Sequence, residues 1–164
     1  MSDLMVKRSV RLDPVIDKKV QELNRPLSEV VHEALLDYLL KLGVLDREEA
    51  ALHVKTLEIL KDVAGMAVYL AKTGKFTESI TDTVLAQLMQ EEKFAASYAY
   101  VVGGDPYLHG NQKKAKLNLK IGAKVREAIN GTVMTDAKNR PLTRTVHGRV
   151  IQSYTPMSGF NLPA

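Results

Sequence analysis

The period of the hydrophobic and polar positions changes several times along this chain, and each change marks an element. In residues 7–14, KRSVRLDP, Val10 and Leu12 alternate with Lys7, Ser9 and Arg11, the period-two pattern of a strand with one apolar side and one basic, polar side. Asp13 is a natural helix N-cap, and Pro14 suits a first helical turn, where its missing N–H costs nothing. The strand therefore ends at Leu12 or Asp13. A helix follows with Ile16, Val20 and Leu23 on its apolar stripe, closed by the Asn24-Arg25-Pro26 turn. Ser28 caps a second helix in which Val31, Ala34, Leu35, Tyr38, Leu39 and Leu42 recur at steps of three and four, so one face is expected to be buried. Gly43 ends it. Asp46 and Glu49 have the spacing of a capping box and open a long helix that carries Leu52, Leu57, Leu60, Val63, Ala67 and Leu70 to about Lys72. A second long helix starts near residue 77 or 79, carries Ile80, Val84, Leu85, Leu88, Met89, Ala95 and Tyr98, and stops before Gly103-Gly104-Asp105-Pro106. Two such helices and a short loop make a helical hairpin.

From residue 105 the pattern weakens, and Gly, Asn, Pro and basic residues rise. Residues 111–130 read as a basic helix with Ala115, Leu119, Ile121, Val125 and Ile129 inward, while KAKLNLKI within them alternates well enough for a strand. Residues 142–154, rich in Thr, Val and Ile and preceded by Asn139-Arg140-Pro141, read as a strand. Residues 155–164 have the composition of a frayed or partner-ordered tail. Three regions result: 1–44, 45–104 for assembly, and a basic 105–164.

A strand alone in water leaves half its backbone groups without ladder partners, so the strand at residues 7–12 must pair with something. The simplest partner is the same strand of a second chain, giving a two-stranded antiparallel ribbon over the helices of a two-fold dimer. This order of strand, Asp-Pro helix start, helix, polar turn and Ser-initiated helix resembles the ribbon-helix-helix family of DNA-binding proteins, over about the first quarter of the chain. The fold class expected is thus mainly α: an N-terminal ribbon-helix-helix, then a helical hairpin, then a basic mixed segment. In that family the ribbon enters the major groove and the N-terminus of the second helix holds a backbone phosphate. The resemblance implies base contacts from Lys7, Ser9 and Arg11, and phosphate contacts from Ser28 with the amides of Glu29 and Val30. Arg8 stands on the nominally apolar side of the strand, where it can reach outward to a phosphate. From Leu12 to Ser28 the chain runs a few residues shorter than is usual for the family, so a short first helix is expected.

Composition changes this picture only in part. With 164 residues, 45% hydrophobic and 26% charged, the chain has the make-up of a folded protein. No cysteine occurs, which removes disulfides, thiol catalysis and cysteine-based zinc sites. Without an apolar signal core near the start, or any run approaching the roughly 20 apolar residues of a membrane span, a cytoplasmic location is expected. Lys plus Arg against Asp plus Glu number 7 and 7 over residues 1–45, 6 and 9 over 46–104, and 10 and 3 over 105–164. The first region is neutral overall but basic on the ribbon, and the surplus sits at the C-terminal end. There Lys113, Lys114, Lys116, Lys120, Lys124, Arg126, Lys138, Arg140, Arg144 and Arg149 form a candidate second contact for nucleic acid or for an acidic protein partner, against the alternative of a solvated basic surface.

Chemistry of other kinds finds little support. His32, His53, His109 and His147 lack any metal-binding spacing, so no metal is expected. The glycines form no phosphate loop, no nucleophile elbow is present, and Asp105 with His109 in a Gly-rich loop reads as turn and surface. Neither an enzyme nor a cofactor is expected. The resemblance implies a homodimer that binds double-stranded DNA and regulates transcription, typically by repression, and the helical hairpin is a candidate for joining such dimers into higher oligomers. Two other roles fit the same ribbon: an accessory protein of a plasmid transfer or partition complex, and an antitoxin whose C-terminal region holds a toxin.

Overall fold

The computed structural model describes residues 9, 11–23 and 27–162. Its described elements are α1 (Pro14–Glu22), α2 (Leu27–Lys41), α3 (Arg47–Lys72), α4 (Ile80–Leu88), α5 (Glu92–Val102), α6 (Gln112–Ala128), and four short strands, β1 (Thr132–Val133), β2 (Arg144–Thr145), β3 (Ser153–Tyr154) and β4 (Met157–Gly159). The fold is mainly helical, as expected. The chain divides into two units, Met1–Ala50 and Ala51–Ala164.

In the first unit the local signals act as their chemistry dictates. The Asp13 carboxylate accepts from the Val15 N–H at 2.8 Å, and Pro14 occupies the first turn of α1. At nine residues, α1 is short. Gly43, at φ +66°, terminates α2, with the Val44 N–H donating back to the Leu39 carbonyl. The capping box opening α3 closes in both directions: Glu49 N–H donates to Asp46 Oδ1 at 2.8 Å, and Asp46 N–H to Glu49 Oε2 at 3.3 Å.

Among the described residues the expected strand is not seen. Ser9 and Arg11 to Asp13 carry no regular structure, and the first described element is α1. The physical reason is that a strand needs a ladder partner, and no described segment pairs with Ser9 or with Arg11 to Asp13. Lys7, Arg8, Val10 and the turn at residues 24–26 lie outside the described residues. The firm burial expected of α2 is also absent. Among the described side chains of α1 and α2 only Leu36 is buried.

The second unit has a core of its own. Ile59, Val63, Ala67 and Leu70 follow helical spacing on α3 and pack in one cluster with Ile80, Val84, Leu85 and Leu88 of α4 and with Phe94, Tyr98 and Val102 of α5. The expected second helix of the hairpin is broken in two at Met89-Gln90-Glu91, although no Pro or Gly stands there. Its stripe explains the break. Leu88 to Phe94 is a step of six residues, which in an unbroken helix would turn Phe94 off the face held by Val84 and Leu88. The Gln90 and Glu91 N–H groups bond to the Gln87 and Leu88 carbonyls, tightening the chain so that the stripe resumes in phase.

Residues 105–164 belong to this same unit. Residues 112–128 are helix, and the phase differs from the expected one: Leu117, Ile121 and Val125 are buried, followed by Ile129, whereas Leu119 is 76% exposed. Ala115 is exposed too. The expected strand at 142–154 is only its two ends, β2 and β3, paired antiparallel with Arg144 opposite Tyr154 and Thr145 opposite Ser153. The frayed tail is corrected as well. Pro156 and Met157 are buried and β4 pairs antiparallel with β1, because Met157 fills the core beside Ile129 and Gly131 and its N–H donates to the Glu78 carbonyl.

The phase of α6 is testable by urea denaturation. Ile121→Ala should cost about 2–5 kcal/mol and Leu119→Ala no more than about 0.5 kcal/mol. Equal losses would mean that the wrong face of α6 has been placed inward.

Candidate functional site

Of the residues expected to read bases, Lys7 lies outside the described residues, as does Arg8; Ser9 and Arg11 are exposed. Ser28 is exposed in the first turn of α2, one residue inside the helix rather than before it, and Val30 is half-buried. Glu29 shares that first turn through its backbone. Arg11, two residues before the Asp13 cap, is thus presented to solvent at the entry to the helix pair.

The basic C-terminal residues do not form one free surface. Lys114 is not on it: the side chain is 3% exposed, and its Nζ donates to the Leu108 carbonyl at 2.8 Å and the Pro106 carbonyl at 3.0 Å. Burial lowers its pKa below the ordinary 10.5, against the partial compensation of the Asp105 carboxylate. Arg144 pairs with Glu78 at 3.0 Å, Arg149 approaches Asp82 at 3.9 Å, Arg140 pairs with Asp136 at 2.7 Å, and Lys124 with Glu127 at 3.4 Å. Asp136 anchors a turn. It accepts from the backbone and then the side chain of Arg140, with a further bond from the Lys138 N–H, and these bonds hold its carboxyl below the usual range. Lys113, Lys116, Lys120, Arg126 and Lys138 are exposed.

Beside α6 lies a cleft of about 610 Å³ within the second unit. Its walls are α6 and the extended run through β3. One relay fixes the spacing between them: the Tyr98 hydroxyl of α5 donates to Asn118 Oδ1 at 2.6 Å, and Asn118 Nδ2 reaches the Val150 carbonyl at 3.4 Å. Burial pushes the Tyr98 phenol well above its ordinary value, an effect that the Asn118 bond only partly offsets, so the hydroxyl remains a donor. At the near end, Asn111 caps α6 by accepting from the Lys114 N–H at 3.0 Å, while its Nδ2 donates to the Val102 carbonyl at 2.9 Å. Gln152 Nε2 lies 2.9 Å from His109 Nδ1. Asp105 is committed to a turn, accepting from the Tyr107 N–H at 2.8 Å.

The sequence pattern marks Lys114 and Arg126 only as charges and does not mark Asn118, Gly122 or Thr155, which also line the cleft. The available signal was the run of small residues at Ala115, Gly122 and Ala123, which keeps one side of α6 low. Among the described residues, no group of acidic or histidine side chains is arranged to hold a metal ion, and no helix is long and apolar enough to cross a membrane. No family model, curated protein or solved structure matches the chain.

Lys114 joins α6 to the loop before it, and its removal is readable in stability. Lys114→Met leaves two carbonyls without their partner and should cost about 1–3 kcal/mol. Because the folded state disfavours the charged ammonium, the unfolded chain binds the extra proton at pH values just below 10.5, so wild-type stability should rise relative to Lys114→Met as pH climbs through that range. A stability difference that stays flat or shrinks with pH would contradict the buried-cation assignment.

Proposed function

We propose that this protein is a sequence-specific DNA-binding homodimer of ribbon-helix-helix type that regulates transcription, acting as a repressor by occupying its operator. The observation that carries the reading is the first unit's open apolar face. Val15 is 70% exposed, Ile16 54%, Leu35 53% and Leu42 56%. A helix pair patterned for burial and yet uncovered needs apolar surface from elsewhere. A second copy supplies it, and the same two-fold that joins the helices brings the two segments ahead of Asp13 together as an antiparallel ribbon.

On this ribbon Lys7, Ser9 and Arg11 alternate outward as base contacts. Arg11 is the residue best fitted to a guanine, since its fork donates to O6 and N7 together. Arg8 and the first turn of α2, with Ser28 and the Glu29 and Val30 amides, hold the backbone phosphates. The unit Ala51–Ala164 is then an appended domain. Its core reaches Met157, so residues 155–159 are structural rather than a free peptide, which favours a regulator or an accessory DNA-binding protein over an antitoxin whose tail wraps a toxin.

Arg11→Ala should weaken binding to the operator by about 1–3 kcal/mol and relax the base preference at the position that it contacts, measured by gel shift against a panel of single-base variants. An unchanged preference would remove Arg11 from the reading surface.

A further inference from the structure

The cleft of the second unit has the features of a ligand site. Its volume of about 610 Å³ falls within the range of small-molecule pockets. One wall is the α6 row of Ala115, Leu119, Gly122 and Arg126, whose steps of four, three and four set them along one side of the helix. The other wall is the run Ile151 to Thr155, with Thr143 beside it by the β2–β3 register. The small side chains at residues 115 and 122 open the space. Leu119 and Ile151 supply apolar surface, and the hydroxyl-bearing Thr143, Ser153 and Thr155 line the strand side.

The charge of the lining is one-sided. Lys114 and Arg126 line the cleft, and no aspartate or glutamate does. Lys114 is already engaged by two carbonyls, but its charge remains in the wall. Arg126 is exposed and makes no ion pair among the described residues, unlike Arg140 and Arg144. The N-terminus of α6, at the Lys114 end, adds to the positive potential. A guanidinium left unpaired at the rim of an apolar cleft, with hydroxyls opposite, is complementary to a molecule that has an oily body and an anionic group.

We propose that this cleft binds a small organic anion, with the carboxylate, sulfonate or phosphate on Arg126 and the apolar body between Leu119 and Ile151. The site lies wholly within Ala51–Ala164 and does not depend on the DNA-binding reading. Gly122 stands at its floor, where an added Cβ meets nothing within 4 Å and the helical backbone takes any residue, so the cleft can be filled without disturbing the fold.

The test uses the full chain, isotope-labelled, titrated with 8-anilinonaphthalene-1-sulfonate and followed by amide chemical shifts. Saturable shifts are expected in residues 112–126 and 151–155. Arg126→Gln should weaken binding by about tenfold, the neutral N-phenyl-1-naphthylamine should bind weaker by a similar factor, and Gly122→Phe should abolish the shifts while leaving the thermal transition in place. Shifts confined to α1 and α2, equal affinity for the neutral probe, or binding unaffected by both Arg126→Gln and Gly122→Phe would each overturn the proposal. Displacement of the probe by a duplex oligonucleotide lacking the operator would also overturn it, assigning the cleft to nucleic-acid phosphates instead.

Discussion

Apolar surface on a helix is stabilising only where another element covers it, and the two units of this chain meet that requirement differently. In Ala51–Ala164 the stripes of α3, α4, α5 and α6 cover one another, with Val150, Ile151 and Met157 completing the cluster. In Met1–Ala50 the stripes of α1 and α2 are as regular, yet Ile16, Leu23, Leu35, Tyr38 and Leu42 remain in water. Several such side chains together, each worth about 1.5–3 kcal/mol when fully buried, are too large a deficit for a 50-residue unit to carry alone. The proposed two-fold dimer answers both this deficit and the missing ladder partner of the strand with a single operation.

The charges sort along the same line. The C-terminal surplus looks like a second nucleic-acid surface when counted along the sequence, but folding spends much of it. Arg140, Arg144 and Lys124 face carboxylates, and Lys114 is withdrawn from the surface altogether. Exposed pairs of this kind contribute little to stability, but they lower the net positive field that a phosphate backbone would meet. Lys113, Lys116, Lys120, Arg126 and Lys138 stay exposed, and of these Arg126 stands beside the apolar cleft.

Local signals were the legible part of the fold. Asp13-Pro14, the Asp46 and Glu49 capping box, Gly43 and Gly103 each set a helix end through a hydrogen bond or a backbone angle that involves only near neighbours. Facts that depend on long-range packing were not legible. Whether Leu117 or Leu119 points inward is decided by which face of α6 meets α4 and α5, and both phases place apolar residues at helical steps. The tail reads as polar and Pro-rich, yet Met157 is held by a core formed from residues up to a hundred positions away. Of the cleft, its two cations stood out and its walls did not, since Ser153 and Thr155 become neighbours of Gly122 only through the turns at residues 129–152.

The central claim is that two copies of this chain read DNA through a symmetric ribbon. Selection of genomic fragments by the purified full-length protein, followed by sequencing of what is retained, tests it directly. The account predicts an enriched inverted repeat, its halves related by the two-fold of the dimer. Retention of fragments with no shared sequence, or of none at all, would contradict it.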